Sequence, residues 1–431
     1  MIERLLESVR RRVDAADAVT KADDTLTVTL DDEGRVSASA RQGEVGHLRV
    51  RRRDRVASTY STGVAVEELA ERALAELPDG EEVPLYLPAP SPLPGVMTCS
   101  PQAATAGTNA LLTLLRPLSG RLRRTDRRVE VWAERSAGSV RVANTRGVLA
   151  DYDTAIVVVG AVVESIGAGA PPPCRVHLAA GTMPSFSDVG ALVEEVDRRL
   201  APPPIDPGSL PTRMTVCMAP RALATLLLPL RAALLGHEAL LGRSPVRGRL
   251  GERLYDERLS LTDDALLPAR PGSRPLDDDG VPSRRVTLVE GGRPVAAAAD
   301  LRVGALANVP STGHGWRRPV TPPRAGFTNL LVHAGETSRA ALLGLLAPGL
   351  LVEDLEWGAG PNPLPGALIA RAPWVYLVEQ GEVRGRLESV TLAGNVYELL
   401  GRIVAIGSDA TWIGSFCGPS VVFEGIGVSR S

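Results

Sequence analysis

Four prolines within seven residues, Pro202-Pro203-Pro204-Ile205-Asp206-Pro207-Gly208, constrain this chain more than any other stretch. Proline lacks the N–H that a helix interior or an inner strand must donate, so regular structure has to stop before the segment and restart after it. A second Pro-rich stretch lies at residues 84–101. Together they suggest an N-terminal α/β module at 1–83, a linker at 84–103, a middle α/β region at 104–201, a linker at 202–211 and a β-rich C-terminal domain at 212–431.

Hydropathy period assigns the elements between these breaks. Residues 2–18 place Leu5, Val9 and Val13 on one helical face, whereas residues 25–30 alternate at period two and read as a strand. Residues 35–40, 47–53 and 56–60 continue a meander, and residues 66–74 form an amphipathic helix. Alternating charge around Arg51 to Arg53 is the pattern of a solvated sheet face. In the middle region, residues 104–118 and 188–200 read as helices, and 128–134, 139–144, 148–152 and 155–163 as strands. Past residue 212 short strands dominate, so the fold class is α+β.

Composition narrows the function classes. Lys and Arg number 48 against 50 Asp and Glu, a net charge of -2, so no global field draws the chain to nucleic acid or an anionic membrane. Aromatic residues make up only 3%, and no basic patch interleaved with them suits single-stranded nucleic acid. Cys99, Cys174, Cys217 and Cys417 have no CxxC spacing, which argues against a disulfide framework. The N-terminus has no continuous apolar h-region, and the apolar run near residues 223–235 is broken by Pro229 and Arg231. These features predict a cytoplasmic protein.

The pair His237-Glu238, on an apolar helix, invites a zinc-peptidase reading. Two imidazoles reach one metal only from a shared helix face, so a second histidine is required four or five residues on. Leu241 and Gly242 stand there instead. His237 is therefore the nearest this helix comes to a metal ligand, and no metal of its own is expected. His314, between Gly313 and Gly315, lies in a loop that suits ligand approach. Asp263, Asp264 and Asp277 to Asp279 lack calcium-loop spacing and read as solvated turns. There is no GxSxG elbow, no GxxxxGK and no GxGxxG after a strand.

Several segments in colinear order carry a resemblance: 46–50 with 58–63, Val142-Ala-Asn-Thr-Arg-Gly147, Gly248-Arg-Leu-Gly-Glu-Arg-Leu-Tyr-Asp256, 261–264, 278–282, 289–292, Ser311-Thr-Gly-His314, 323–330 and Cys417-Gly418. In these the chain resembles the TldD/PmbA family of TldD-TldE type metallopeptidases. The resemblance implies a heterodimer in which a TldD-type subunit binds zinc through an HExxxH helix and a C-terminal cysteine, whose counterpart here is Cys417. It places the Thr312-Gly313-His314 loop near the peptidase cleft, as a candidate peptide-binding segment. With no second histidine, this chain corresponds to the TldE-type subunit, its zinc-holding partner being a TldD-type subunit. The alternatives are a stand-alone homodimeric protein that binds or processes peptides or natural products, and a self-sufficient peptidase built on His237, Glu238 and Cys417.

Overall fold

The computed structural model describes residues 2–63, 65–167, 169–318, 323–358, 360 and 362–430. Its first half is built on one antiparallel sheet. In chain order the elements are α1 (Ile2–Arg10), β1 (Ala15–Leu30), β2 (Val36–Arg52), β3 (Arg55–Thr62), α2 (Val66–Glu76) and β4 (Glu81–Glu82). After the first Pro-rich stretch come α3 (Pro101–Ala104), α4 (Thr108–Leu122), β5 (Arg127–Asn144), β6 (Leu149–Ser165), β7 (Cys174–Ala180) and α5 (Phe186–Leu200). The seven strands are ordered β4-β3-β2-β1-β5-β6-β7, so β1 pairs with β2 on one edge and β5 on the other. Residues from both sides of the Pro-rich stretch thus share one sheet.

The strands are longer than periodicity predicts. The helix expected over 2–18 ends at Arg10, and residues from Ala15 onward belong to β1. Their partners are far away in sequence, Ala16 opposite Val50 and Ala18 opposite both Leu48 and Ala143. Tertiary pairing overrides a local helical pattern there. Likewise 128–134 and 139–144 fuse into β5, and 148–152 and 155–163 into β6. The polar and small residues that interrupted the alternation, Arg135 to Gly138, sit opposite Asp23 to Leu26 of β1. An alanine Cβ at Gly138 would run into the carbonyl of Ala22. Gly138→Ala is therefore expected to cost about 1–3 kcal/mol, as overpacking does; an unchanged urea midpoint and slope would exclude this close approach.

Strand parity decides what each face meets. Ala16 and Ala18 of β1 pack with Leu48, Val50, Leu5 and Leu69 under α1 and α2. Farther along the same face, Val28 and Leu30 pack on Leu111, Leu115 and Leu118 of α4. The odd positions Asp17, Val19 and Lys21 point to the opposite face, where Val19 meets Leu276 of the C-terminal half. That face is the polar one read from sequence as solvated.

The C-terminal half contains two larger sheets. Arg213–Met218 pairs with Gly349–Trp357 and Val421–Arg430, and pairing through Val390–Asn395 and Ala367–Glu379 returns to Gly349–Trp357, closing a ring of strands. Closure leaves these strands no open edge within the ring. Met214, Val216 and Met218 belong to the large C-terminal core, while Cys217 between them faces the core that holds α4 and α5. Helices α4 and α5 are consequently covered on both sides, by the first sheet and by Trp374, Tyr376 and Val422. The proline cluster runs along the outside: Ile205 N donates to Arg386 O at 2.9 Å and Arg386 N to Pro203 O at 2.7 Å. The other sheet includes Leu261–Asp264, Leu330–Val332 and Phe416–Gly418, and the residues that meet the polar face of the first sheet, Leu276, Asp278, Asp279 and Arg317, stand outside its strands.

Candidate functional site

Helix Leu228–Ala233 is followed by a wider π turn, His237–Leu241. Insertions of this kind recur at functional sites because they re-aim side chains. His237 is exposed and faces a cavity of about 540 Å³ between β2–β4 and the C-terminal half. The cavity is walled by His47, Arg49 and Tyr60 from the sheet and by His237, Asp300 and Arg317 from the other side. Glu238 does not accompany His237 into the cavity wall. Its carboxylate folds over Gly242, where any Cβ would collide with it.

Behind the cavity lies a closed ring of buried charges. Arg49 donates to Asp17 through Nε at 2.9 Å and Nη2 at 2.8 Å, and Nη2 also lies 2.9 Å from Asp279 Oδ1. Arg317 Nη2 completes the ring, bonding Asp17 and lying 3.3 Å from Asp279 Oδ1. None of these four side chains is more than 4% exposed. Register explains the sheet half: Asp17 sits directly opposite Arg49 across β1 and β2, on the odd face. A neighbouring pair extends the ring, with Lys21 Nζ 2.6 Å from Asp278 Oδ2, and Arg274 stacks 4.2 Å from the Trp316 ring centroid.

Asp277 to Asp279 are thus not solvated; all three are at most 2% exposed. The turn expected there exists, with Gly280 N donating to Asp277 O, yet it is buried against cations from far along the chain. Asp277 accepts from the N–H groups of Asp279, Val281 and Gly315. Burial and the adjacent Asp279 carboxylate nevertheless raise its pKa to about 7. Burial also acts on Asp278 and Asp279, but Lys21 and Arg274 hold the first below the usual range, and Arg49 and Arg317 the second. Asp300, buried and near Asp279, is pushed up to about 6. Burial, with Arg317 and Lys21 nearby, lowers His47 to about 4, so its imidazole is neutral at pH 7.

The Thr312-Gly313-His314 segment occupies a different place, and none of the three lines the cavity. His314 is 1% exposed; its Nε2 lies 3.1 Å from Asp263 Oδ1 and its Nδ1 2.8 Å from Thr312 Oγ1. Hydroxyl, imidazole and carboxylate in line resemble a nucleophile triad, but Thr312 Oγ1 already accepts from Ala299 N at 2.7 Å and lies 3.1 Å from Ala299 O. Asp263, itself fully buried, is held by Thr328 through its N–H and hydroxyl. The arrangement clasps the loop to Leu261–Asp264 and leaves no free hydroxyl for attack.

Cys417 is buried on Phe416–Gly418, paired with Trp412 and Leu331, and burial raises its thiol pKa although Arg270 opposes this. It is not part of the cavity wall that holds His237. Among the described residues no group of three or more His, Cys, Asp and Glu side chains stands close enough to hold a metal. A tetrahedral zinc site needs three or four such donors with deprotonated thiolate or neutral imidazole. The donors around His237 and Cys417 do not fit that requirement.

The PmbA/TldA metallopeptidase C-terminal domain model matches residues 211–430, about half of the sequence. The chain belongs to the PmbA/TldD family. The crystal structure of TldE from Thermococcus kodakarensis superposes over 99% of both chains with a TM-score of 0.88 at 22% identity, which establishes the shared α+β fold. A metalloprotease from Archaeoglobus fulgidus is 30% identical over 179 residues, 42% of this chain and 41% of its own length. A TldD homologue from Haemophilus influenzae is 27% identical over 158 residues, 36% of this chain and 32% of its own. The match therefore spans about two fifths or less of these curated relatives. Among the described residues no helix is long and apolar enough to cross a membrane.

What sequence reasoning missed is the cavity and its charge ring. Asp17, Asp300 and Arg317 lie in none of the segments that carry the resemblance, and 46–50, which holds His47 and Arg49, marked the family but not a site. The available signal was the polar alternation on 15–21 and 45–51, which marks a two-faced strand but not what covers the polar face.

Proposed function

We propose that this chain is the non-zinc, TldE-type subunit of a heterodimeric TldD/TldE-like metallopeptidase. A TldD-type partner carrying HExxxH supplies the zinc, the general base and the activated water, while this chain completes the chamber and helps hold an unfolded or modified peptide. One observation carries the reading. The π turn bearing His237 and Glu238 has Leu241 one turn on, and the next position, Gly242, is covered by the Glu238 carboxylate. The sequence thus supplies no second imidazole on this turn, in a chain whose family is named for metallopeptidase activity. The near full-length superposition on a TldE structure supports the same assignment.

Co-expression with an HExxxH-bearing paralogue from the same genome tests it. The expected result is a stable complex by native mass measurement, with chelator-sensitive peptide cleavage that neither chain shows alone. Chelator-sensitive cleavage by this chain in isolation, lost in Cys417→Ala, would overturn the subunit reading in favour of a self-sufficient enzyme.

A further inference from the structure

The outer edge of β2 is open over residues 36–43. β3 pairs only with the stretch from Val45 to Arg52, and the last bond between the two segments runs from Gly63 N to Glu44 O at 3.0 Å. Beyond that point β2 pairs with β1 on its inner side and, among the described residues, with no strand on its outer side. Residues 36–43 are all exposed. Backbone direction alternates along a strand, and Glu44 turns its carbonyl outward to Gly63. By the same alternation Val36, Ala38, Ala40 and Gln42 direct their N–H and C=O groups away from β1.

A protein that works alone blunts such an edge with charge, proline or a bulge. Val36-Ser-Ala-Ser-Ala40 carries no charge and no proline, and the β1–β2 register runs without a shift from Leu30 opposite Val36 to Ala15 opposite Arg51. Parity sorts the side chains. Val36, Ala38 and Ala40 lie opposite Leu30, Val28 and Leu26, on the face where Val28 and Leu30 pack against α4. Ser37, Ser39 and Arg41 take the other face. With small residues on both faces, nothing but the Arg41 and Gln42 side chains stands in the way of an approaching strand.

We propose that this edge pairs with the same edge of a second copy of the chain, antiparallel about a two-fold axis at Ser39, so that the two first sheets become one. In that register Ala38 faces Ala40 and Val36 faces Gln42 of the other copy, and every outward N–H and C=O of these residues meets a partner. A shift by one residue would set outward groups against inward ones and turn apolar side chains onto the polar face. Charge agrees with the register. Arg41 meets Ser37, and Arg35 comes opposite Gly43, over which the Asp23 carboxylate of the same chain lies. Arg35 is besides compensated at home by Asp31 and Glu33, so the two copies bring no bare like charges together. A two-fold, self-complementary contact is the commonest way for identical chains to associate. It uses neither His237 nor the cavity and stands whether or not the chain also pairs with a zinc-holding subunit.

Sedimentation of the purified full chain tests this. A dimer that dissociates in the micromolar range is expected, since an edge contact of this length falls at the small end of specific interfaces. Ala40→Pro removes an outward N–H that bonds nothing in the fold; it is expected to sediment as a monomer while melting within about 2 °C of the native chain. Ser39→Cys reads the register. Opposed residues that share no backbone bond stand about 4.5 Å apart at Cα, within disulfide reach, whereas a cysteine at Val36 would lie about 20 Å from its counterpart. With oxidised glutathione, Ser39→Cys is expected to form a reducible two-chain species that Val36→Cys and the native chain do not. The proposal is overturned if the native chain stays monomeric up to about 100 μM, if Ala40→Pro dimerises like the native chain, or if Val36→Cys cross-links as readily as Ser39→Cys. It is equally overturned if the chain is monomeric alone and Ala40→Pro abolishes capture of an HExxxH-bearing paralogue, which would give the edge to the other subunit.

Discussion

Asp279→Ala is expected to destabilise the chain by about 3–5 kcal/mol in urea unfolding, the scale seen when one partner of a buried ion pair is removed. The carboxylate faces Arg49 at 2.9 Å and Arg317 at 3.3 Å, and its Oδ2 also accepts from Leu301 N at 3.0 Å. Deleting it leaves two buried guanidiniums sharing the single Asp17 carboxylate, far from solvent. The loss reflects stranded charge more than lost attraction, because desolvation in forming such a ring offsets much of its Coulombic gain. A second substitution checks that cause. Adding Arg317→Met to Asp279→Ala removes the stranded cation, and the double variant is expected to recover part of the loss. A double variant worse than the sum of the two single ones would show that the ring contributes through packing instead.

Asp300→Asn is expected to make the chain more stable than the native protein above pH 6, by about 1–3 kcal/mol, and to leave the comparison unchanged below pH 4. Asparagine keeps the helix cap, since its Oδ1 can accept from Val303 N as Asp300 does at 2.7 Å. What it removes is a titration. Burial and the Asp279 carboxylate raise the Asp300 pKa from 3.8 to about 6. Between those values the folded chain holds a proton that the unfolded chain has released. The stability tied to that proton is complete below the unfolded value and is lost as pH rises through the folded one. His47 works in the opposite direction, its pKa falling from 6.5 to about 4, so it adds stability as pH rises across that interval. Subtracting native from variant unfolding energies at each pH largely cancels His47. A difference that stays flat from pH 4 to pH 8 would place Asp300 in a more solvated setting than the fold gives it.

The family was legible because its segments run colinearly, and the α+β class because period-two runs and amphipathic helices alternate in distinct blocks. Helix α5 was legible to within two residues; Ser185 accepts from Asp188 N while the Asp188 carboxylate accepts from Ser185 N, a local capping box. The ring was not legible, for a physical reason. Asp17 and Arg317 lie 300 positions apart, and Lys21 and Asp278 lie 257 apart. No window of sequence contains both members of such a pair. Three consecutive aspartates look solvated in isolation because an unpaired carboxylate is too costly to bury. His314 misled for a similar reason: flanking glycines suggested an open loop, whereas Asp263 and Thr312 pin it inside.

The double pairing of β1 also bears on how the chain is made. Synthesis from the N-terminus delivers β1 and β2 early, but the second edge of β1, Asp17–Leu30, has to wait for Val131–Asn144 to emerge. Throughout that interval the nascent hairpin presents an unpaired row of N–H and C=O groups to its surroundings, the condition under which chains stick to one another. Lys21, Asp23 and Asp24 lie along that waiting edge, three charges in four residues. In the finished protein Lys21 is bound to Asp278; before that partner is made, a charge on an open strand edge is the kind of residue that disfavours edge-to-edge pairing.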